Sequence, residues 1–366
     1  MEYSNTKKVG GITLIALVIT IIVLLILAGV SIAMLTGKNG ILTQAQNAKT
    51  TTENKSAEEK VKLAIMGARA DDGQITVAEL KTEVGYQGGT VTGDTFPVTV
   101  TMDGHDFAVD ANGVIGEKIS KSESYVGYYA DFEGDGTIDG IIYADLAVGG
   151  SGTWNSDSWS SYSYSAETGL KDYYISKTGY EGKFGTKDVL TSTGTGETEK
   201  DRFYVMALED FNPGTSYYWY NSAYGKLDNL VGGSTNDFGQ GKTNTTTMIA
   251  EWNKGENGKY GAQNAQDMWG VIQKADSAGK TWDLSKWFVP SKAEWAALGD
   301  FLYTKLGVTE GNYGNYGLEK YYWSSAQNDT FLAYGADINY GYMSTNCVRK
   351  DSFVPNDSYV RLSATF

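Results

Sequence analysis

Asp131, Glu133, Asp135 and Asp139 fall at alternating spacing around Gly134 and Gly136. They occupy the first, third, fifth and ninth places of a calcium loop, with Gly136 at the sixth. Hard oxygen donors at alternate positions and a glycine at the sharp turn are what Ca²⁺ requires, so these four acids are the candidate metal ligands and Ca²⁺ the candidate cofactor. The twelfth place holds Ile142 rather than a carboxylate, and Ile141-Ile142-Tyr143 reads as a strand, so a solvated acidic hairpin turn is the competing reading. Other reactive chemistry is sparse. His105, the single histidine, stands beside the turn signal Asp103-Gly104 and reads as an exposed loop residue. Cys347, the single cysteine, excludes a disulfide framework and a cysteine-based zinc finger. No Ser–His–acid set or carboxylate pair stands out, so no catalytic residue is assigned and a non-enzyme is expected.

The elements that would position these residues are unevenly spread over 366 residues, a length that suits two or three domains. With 44 acids against 30 bases the net charge is −14, which argues against nucleic acid as a partner. All nine tryptophans lie between Trp154 and Trp323, and only Tyr3 and Tyr86 among the tyrosines precede residue 120. The first 117 residues and the rest therefore read as separate units.

Residues 12–35 carry no charge and would make roughly 36 Å of helix, enough to cross a bilayer. Lys7 and Lys8 just before them would keep the N-terminus cytoplasmic. Past Gly37 and Gly40, Ala57, Val61, Ala64 and Ala68 recur at helical spacing, and Ser56 with Glu59 has the spacing of a capping box. Between residues 74 and 117, alternating runs such as Val98-Thr99-Val100-Thr101 and Phe107-Ala108-Val109 are separated by turn signals and predict a small β-meander. Residues 149–200, rich in Ser, Gly, Thr and Tyr, read as long surface loops anchored by Trp154 and Trp159. Phe203 to Leu208 reads as a strand, and short helices are expected around 246–253 and 265–274. Trp287-Phe288-Val289-Pro290-Ser291 then reads as strand and turn, with Ser291 and Glu294 as the capping box of a following helix.

Two resemblances organise these segments. The sharp step from Lys7-Lys8-Val9-Gly10-Gly11 into Ile12-Thr13-Leu14-Ile15 resembles the class III leader of type IV pilins, especially those of Gram-positive clostridia. The resemblance implies cleavage between Gly11 and Ile12, membrane anchoring before assembly, and packing against other pilin subunits. Ala16 stands where most major pilins carry Glu, which fits a minor or tip pilin and leaves a plain uncleaved anchor open. Trp287, Pro290, Glu294, then Trp323-Ser324-Ser325 and Arg361 resemble the C-type-lectin-like fold of the formylglycine-generating-enzyme and DUF1566 type, and in particular the variable proteins of diversity-generating retroelements.

That second resemblance covers roughly residues 200–366. It implies a scaffold carrying a variable region at about 322–361 and an exposed face at 328–347 rewritten by adenine-specific mutagenesis. Its candidate ligand-binding residues are Asn328, Asp329, Thr330, Phe331, Tyr334, Asp337, Asn339, Tyr340, Tyr342, Ser344, Thr345, Asn346 and Cys347. Asn codons ending in C cannot mutate at adenine to Lys, Glu, Gln, Met or Trp, and the segment contains none of these but Met343. An ordinary polar loop is the other reading.

The expected chain is thus α+β. It comprises a leader (1–11), a pilin-like helix (12–73, transmembrane at 12–35), a small β unit (74–117) and a lectin-like domain (118–366). Its expected role is a cell-surface adhesin or receptor-binding pilin with a protein or glycan ligand on a host or microbial surface. The alternatives are a single-pass anchored binding protein and a structural subunit with an invariant head.

Overall fold

The computed structural model describes residues 18–19, 21–24, 41–69, 75–192, 199–220, 230–254, 267–277, 282–343, 348–351 and 358–366. They divide into two compact units, one of residues 1–91 and 100–105, the other of 92–99 and 106–366.

The first unit contains helices α1 (Ile41–Ala68) and α2 (Val77–Tyr86), which pack on each other. The helical stripe read from the sequence holds, since Ala57, Val61, Ala64 and Ala68 are all buried. Ser56 and Glu59 lie inside the uninterrupted α1, so that capping-box spacing marks no helix start. The working box is Thr76 with Glu79, where the Thr76 hydroxyl accepts from Glu79 N and the Glu79 carboxylate accepts from Thr76 N. Asp103 and Gly104, both at positive φ, make the tight turn their sequence announced. His105 begins a strand and is half-buried, not a loop residue.

Strands β1 (Thr90–Thr92) and β2 (Val98–Met102) carry the chain across the division between the units. They are followed by β3 (His105–Val109), β4 (Ile115–Lys118), β5 (Tyr129–Ala130), β6 (Gly140–Asp145), β7 (Gly150–Thr153), β8 (Ser161–Tyr164), β9 (Tyr173–Gly182), β10 (Gly185–Ser192) and β11 (Phe203–Ala207). Helices α3 (Gly241–Trp252) and α4 (Met268–Ser277), strand β12 (Trp287–Phe288) and helix α5 (Lys292–Leu306) come next. The chain then forms β13 (Tyr321–Gln327), β14 (Leu332–Asp337), β15 (Tyr342–Met343), β16 (Val348–Arg349), β17 (Ser358–Tyr359) and β18 (Ser363–Thr365).

The main sheet of the second unit runs in the order β3, β4, β9, β10, β5, β6, β11, β18, β12. A separate sheet runs β15, β14, β13, β17, with β16 also on β14, and β7 pairs with β8. β6 and β11 are buried at every position, as expected for strands covered on both sides.

This corrects the expected fold class. The described residues are mostly β-sheet with few helices, and no helix among them is long and apolar enough to cross a membrane. Of the segment 12–35, only residues 18–19 and 21–24 are described; they are helical and exposed. The described residues of 149–200, expected as loops, include β7 to β10, because closely spaced Tyr, Thr, Ile and Val favour a pleated surface over an irregular one.

Helix α5 organises the second unit. Its N-cap Ser291 accepts from Glu294 N while the Glu294 carboxylate accepts from Ser291 N, as the sequence spacing predicted. Trp295 stacks on Tyr322 with ring centres 5.1 Å apart and donates its indole N–H to Trp323 O at 3.0 Å. Gly299 is also required here. A β-carbon at this position would lie 2.1 Å from the ring of the fully buried Trp154, so only glycine lets that indole rest against the helix.

Candidate binding face

Residues 328–343 leave β13 and build an antiparallel excursion through β14 and β15. Turn chemistry fixes its tip. Asp329 Oδ1 accepts from Phe331 N and Leu332 N at 2.7 and 2.8 Å, so this carboxylate shapes the turn. Asp337 does the same at the next corner, accepting from Tyr340 N at 3.1 Å. It is buried, and burial raises its pKa, which makes it a framework residue rather than an open contact. Thr330 O accepts from the buried Lys350 ammonium, which also donates to Gln327 Oε1 at 2.6 Å.

Held on this frame, Asn328, Phe331 and Tyr340 are exposed, while Tyr334, Asn339 and Tyr342 are half-buried. Phe331 and Tyr340 each keep 56% of their surface in solvent. Tyr334 donates to Asn328 Oδ1 at 2.9 Å, and Tyr340 stacks on Tyr342. Ser344, Thr345, Asn346 and Cys347 lie outside the described residues, as do Gly11 and Ile12 of the expected cleavage site.

Two residues from elsewhere in the chain join this face. Trp159, read as a loop anchor, is 63% exposed; Trp154 alone is the anchor. Lys292, the first residue of α5, places its ammonium 4.7 Å from the Tyr334 ring centre and 5.8 Å from that of Trp159. The 154–160 segment is tied to the excursion by Asn155 Nδ2 donating to Tyr340 O and Met343 N donating to Ser160 Oγ at 2.7 Å. One sequence signal for Trp159 was available: it stands in the polar run Ser158-Trp159-Ser160-Ser161, with no apolar neighbour to share a core. The result is a surface of rings, amides and one cation, which can stack, hydrogen-bond and adapt.

The acidic turn is built differently. Asp131 is buried; its Oδ1 accepts from Gly134 N and Asp135 N, and its Oδ2 from Gly136 N. Asp139 Oδ2 accepts from Phe132 N, Asp135 Oδ1 from Thr137 N, and Glu133 pairs with Lys286. Burial raises the pKa of Asp131 and pushes that of Asp139 up to about 6, with the charges of Glu133 and Asp131 adding to the latter. Among the described residues no group of three or more acids, histidines or cysteines is arranged to hold a metal ion. The four acids share one turn; Asp131, Asp135 and Asp139 spend four of their six oxygens on its own amides, and Glu133 pairs with Lys286 instead.

A cavity of about 730 Å³ opens beside that turn, lined among others by Phe96, Asp110, Val114, Phe132, Asp135 and Thr191. This volume falls in the range of small-molecule sites.

No family model matches the chain, and no curated protein matches it. Among solved structures, a fimbrial protein from Bacteroides ovatus ATCC 8483 is similar at 13% identity and a TM-score of 0.33. The match covers 74% of this chain and 56% of that one. At that score and identity, the likeness fixes neither fold nor function.

Proposed function

We propose that the chain is a surface-displayed binding protein, an adhesin or receptor-binding subunit, whose ligand contacts the face formed by Trp159, Asn328, Phe331, Tyr334 and Tyr340. The observation that carries this reading is the joining of Trp159 and Tyr334 through Lys292. It brings an aromatic from a distant segment onto the same surface as the excursion. Trp159 is 63% exposed, beside a Tyr334 ring that packs partly on the core, and an exposed aromatic next to a cation suits a contact surface. A binder suits the sequence better than a catalyst, since its single histidine and single cysteine leave few nucleophile–base combinations.

Display on a filament with other pilin subunits rests on the leader-like sequence at Gly11 and Ile12. Diversification of residues 328–347 by a retroelement rests on their composition and on the turn carboxylates Asp329 and Asp337 that shape 328–343. An adjacent reverse transcriptase gene with an adenine-rich near-copy of this segment supports that mechanism, and its absence leaves an ordinary adhesin.

The test is binding of the purified chain to glycan arrays and to intact microbial and host cells, with Trp159→Ala and Phe331→Ala variants alongside. Saturable binding lost in both variants, with unchanged melting, supports the face. Binding retained in both removes it.

A further inference from the structure

The cavity beside the acidic turn is separate from the face above and serves no role in it. Its walls come from the 95–97 loop, the 110–114 turn, the 131–138 turn and strands β9 and β10, all within the second unit. One part of the wall is apolar, with Phe96, Pro97, Val114, Phe132, Ile138 and Val189. Four carboxylates stand on the lining, Asp110, Asp131, Glu133 and Asp135, against the single cation Lys177.

These charges are not equivalent. Asp131 is consumed by three amides, and Glu133 is paired with Lys286. Lys177 lies 4.9 Å from the ring centre of Tyr180. Asp110 uses one oxygen, Oδ1, on its own turn, accepting from Asn112 N and Val114 N, and so keeps the other for another donor. Asp135 is exposed and accepts from Thr137 N, with the Thr137 side chain also bonded to it. On the same lining, Thr191 Oγ1 is buried and has no hydrogen-bond partner among the described residues.

We infer that this cavity binds an organic cation, an ammonium or guanidinium group on an apolar stem. The stem lies against Phe96, Val114 and Phe132, and the charge is met by Asp110 and Asp135. A neutral ligand would leave the excess of negative charge uncompensated, and an anion would oppose it. A small hydrated cation would leave the apolar wall unused. The same chemistry is found in a free amine and in a lysine or arginine side chain of a partner protein.

The full chain is titrated by calorimetry with cadaverine, Nα-acetyl-lysine methylamide, Nα-acetyl-arginine methylamide, glucose, sodium acetate and CaCl₂. Saturable binding of at least one organic cation is expected, weakened at least about tenfold in Asp110→Asn and Asp135→Asn and weakened by added salt. Asparagine keeps the Oδ1 acceptor of each turn, so both variants should melt like the parent. Val114→Trp, which fills the cavity, should abolish binding without changing ligand capture at Trp159 and Phe331. Preference for cadaverine assigns free amines; preference for the blocked amino acids assigns a protein side chain. Binding of glucose, acetate or Ca²⁺ alone, no binding at all, or organic-cation binding that survives both substitutions overturns the inference.

Discussion

Arg361 and Asp210, 151 residues apart in sequence, meet in the core of the second unit with Nε donating to Oδ1 at 2.6 Å. Both are buried, and neither depends on the other alone. Arg361 also donates to Ala207 O, Leu208 O and Gly317 O, and Asp210 also accepts from the Tyr322 hydroxyl at 2.9 Å. A second pair, Arg202 with Asp145, repeats the pattern with two parallel hydrogen bonds of 2.8 and 2.9 Å. Asp145 ends β6 and Arg202 just precedes β11, while Asp210 follows β11 and Arg361 lies between β17 and β18.

Removing one partner strands the other. Asp210→Ala leaves a buried guanidinium without its counter-charge and should cost about 3–5 kcal/mol. The double change Asp210→Leu with Arg361→Met should cost clearly less than the single one. Urea melts of the three proteins check this, and equal losses would show that the pair does not couple.

Trp154 and Trp159 should separate stability from binding. Trp154→Ala empties a site against α5 and should cost about 3–5 kcal/mol. Trp159→Ala should change stability by less than about 0.5 kcal/mol, as expected of an exposed residue, while abolishing ligand capture. Thermal melting beside cell binding distinguishes the two.

Gly299→Ala should destabilise the chain, although alanine is the better helix former. The added methyl meets the Trp154 ring and should cost about 1–3 kcal/mol through overpacking. In the Trp154→Ala background the same change should become neutral or favourable, which a double-mutant cycle would show.

Glu294 should make stability pH-dependent. It is fully buried, and burial pushes its pKa up to about 7 even though amides of Ser291, Gly239 and Gly241 oppose that rise. A raised acid binds its proton more tightly in the folded state. Its contribution is therefore fully present below the unfolded value near 4.5 and is lost as pH rises through about 7. Asp139, pushed up to about 6, acts in the same direction. Urea midpoints should fall from pH 4.5 to pH 7.5, and Glu294→Gln should flatten that slope. An unchanged slope would place the dependence elsewhere.

Short-range signals were the legible part of the molecule. The Ser291–Glu294 box, the Asp103-Gly104 turn and the α1 stripe needed nothing beyond spacing along the chain. Ser56 with Glu59 shows the limit, because the same spacing inside a continuing helix marks no end. The strands of 149–200 pair mainly with their neighbours in sequence, β7 with β8 and β9 with β10, so it was their Ser-, Gly- and Thr-rich composition that hid them. Of the candidate face, the segment after β13 was singled out by a resemblance rather than by spacing. The polar neighbours of Trp159 hinted at its exposure, but only the fold brings it and Lys292 beside Tyr334. The acidic turn shows that alternating acids suit both metal coordination and amide capture, and spacing alone does not say where their oxygens point.

The parallel pairing of β13 with β17 aligns Tyr321 with Ser358 and Tyr322 with Tyr359. The stretch between them supplies β14, β15 and β16, and β14 pairs along the other side of β13. For a link between strands so pinned, closure entropy grows only with the logarithm of its length, roughly 0.6 kcal/mol per doubling. The links can therefore change length at little cost while β13 keeps β14 and β17 as partners. In this architecture, the cost of novelty at the surface is nearly independent of how much novelty is tried.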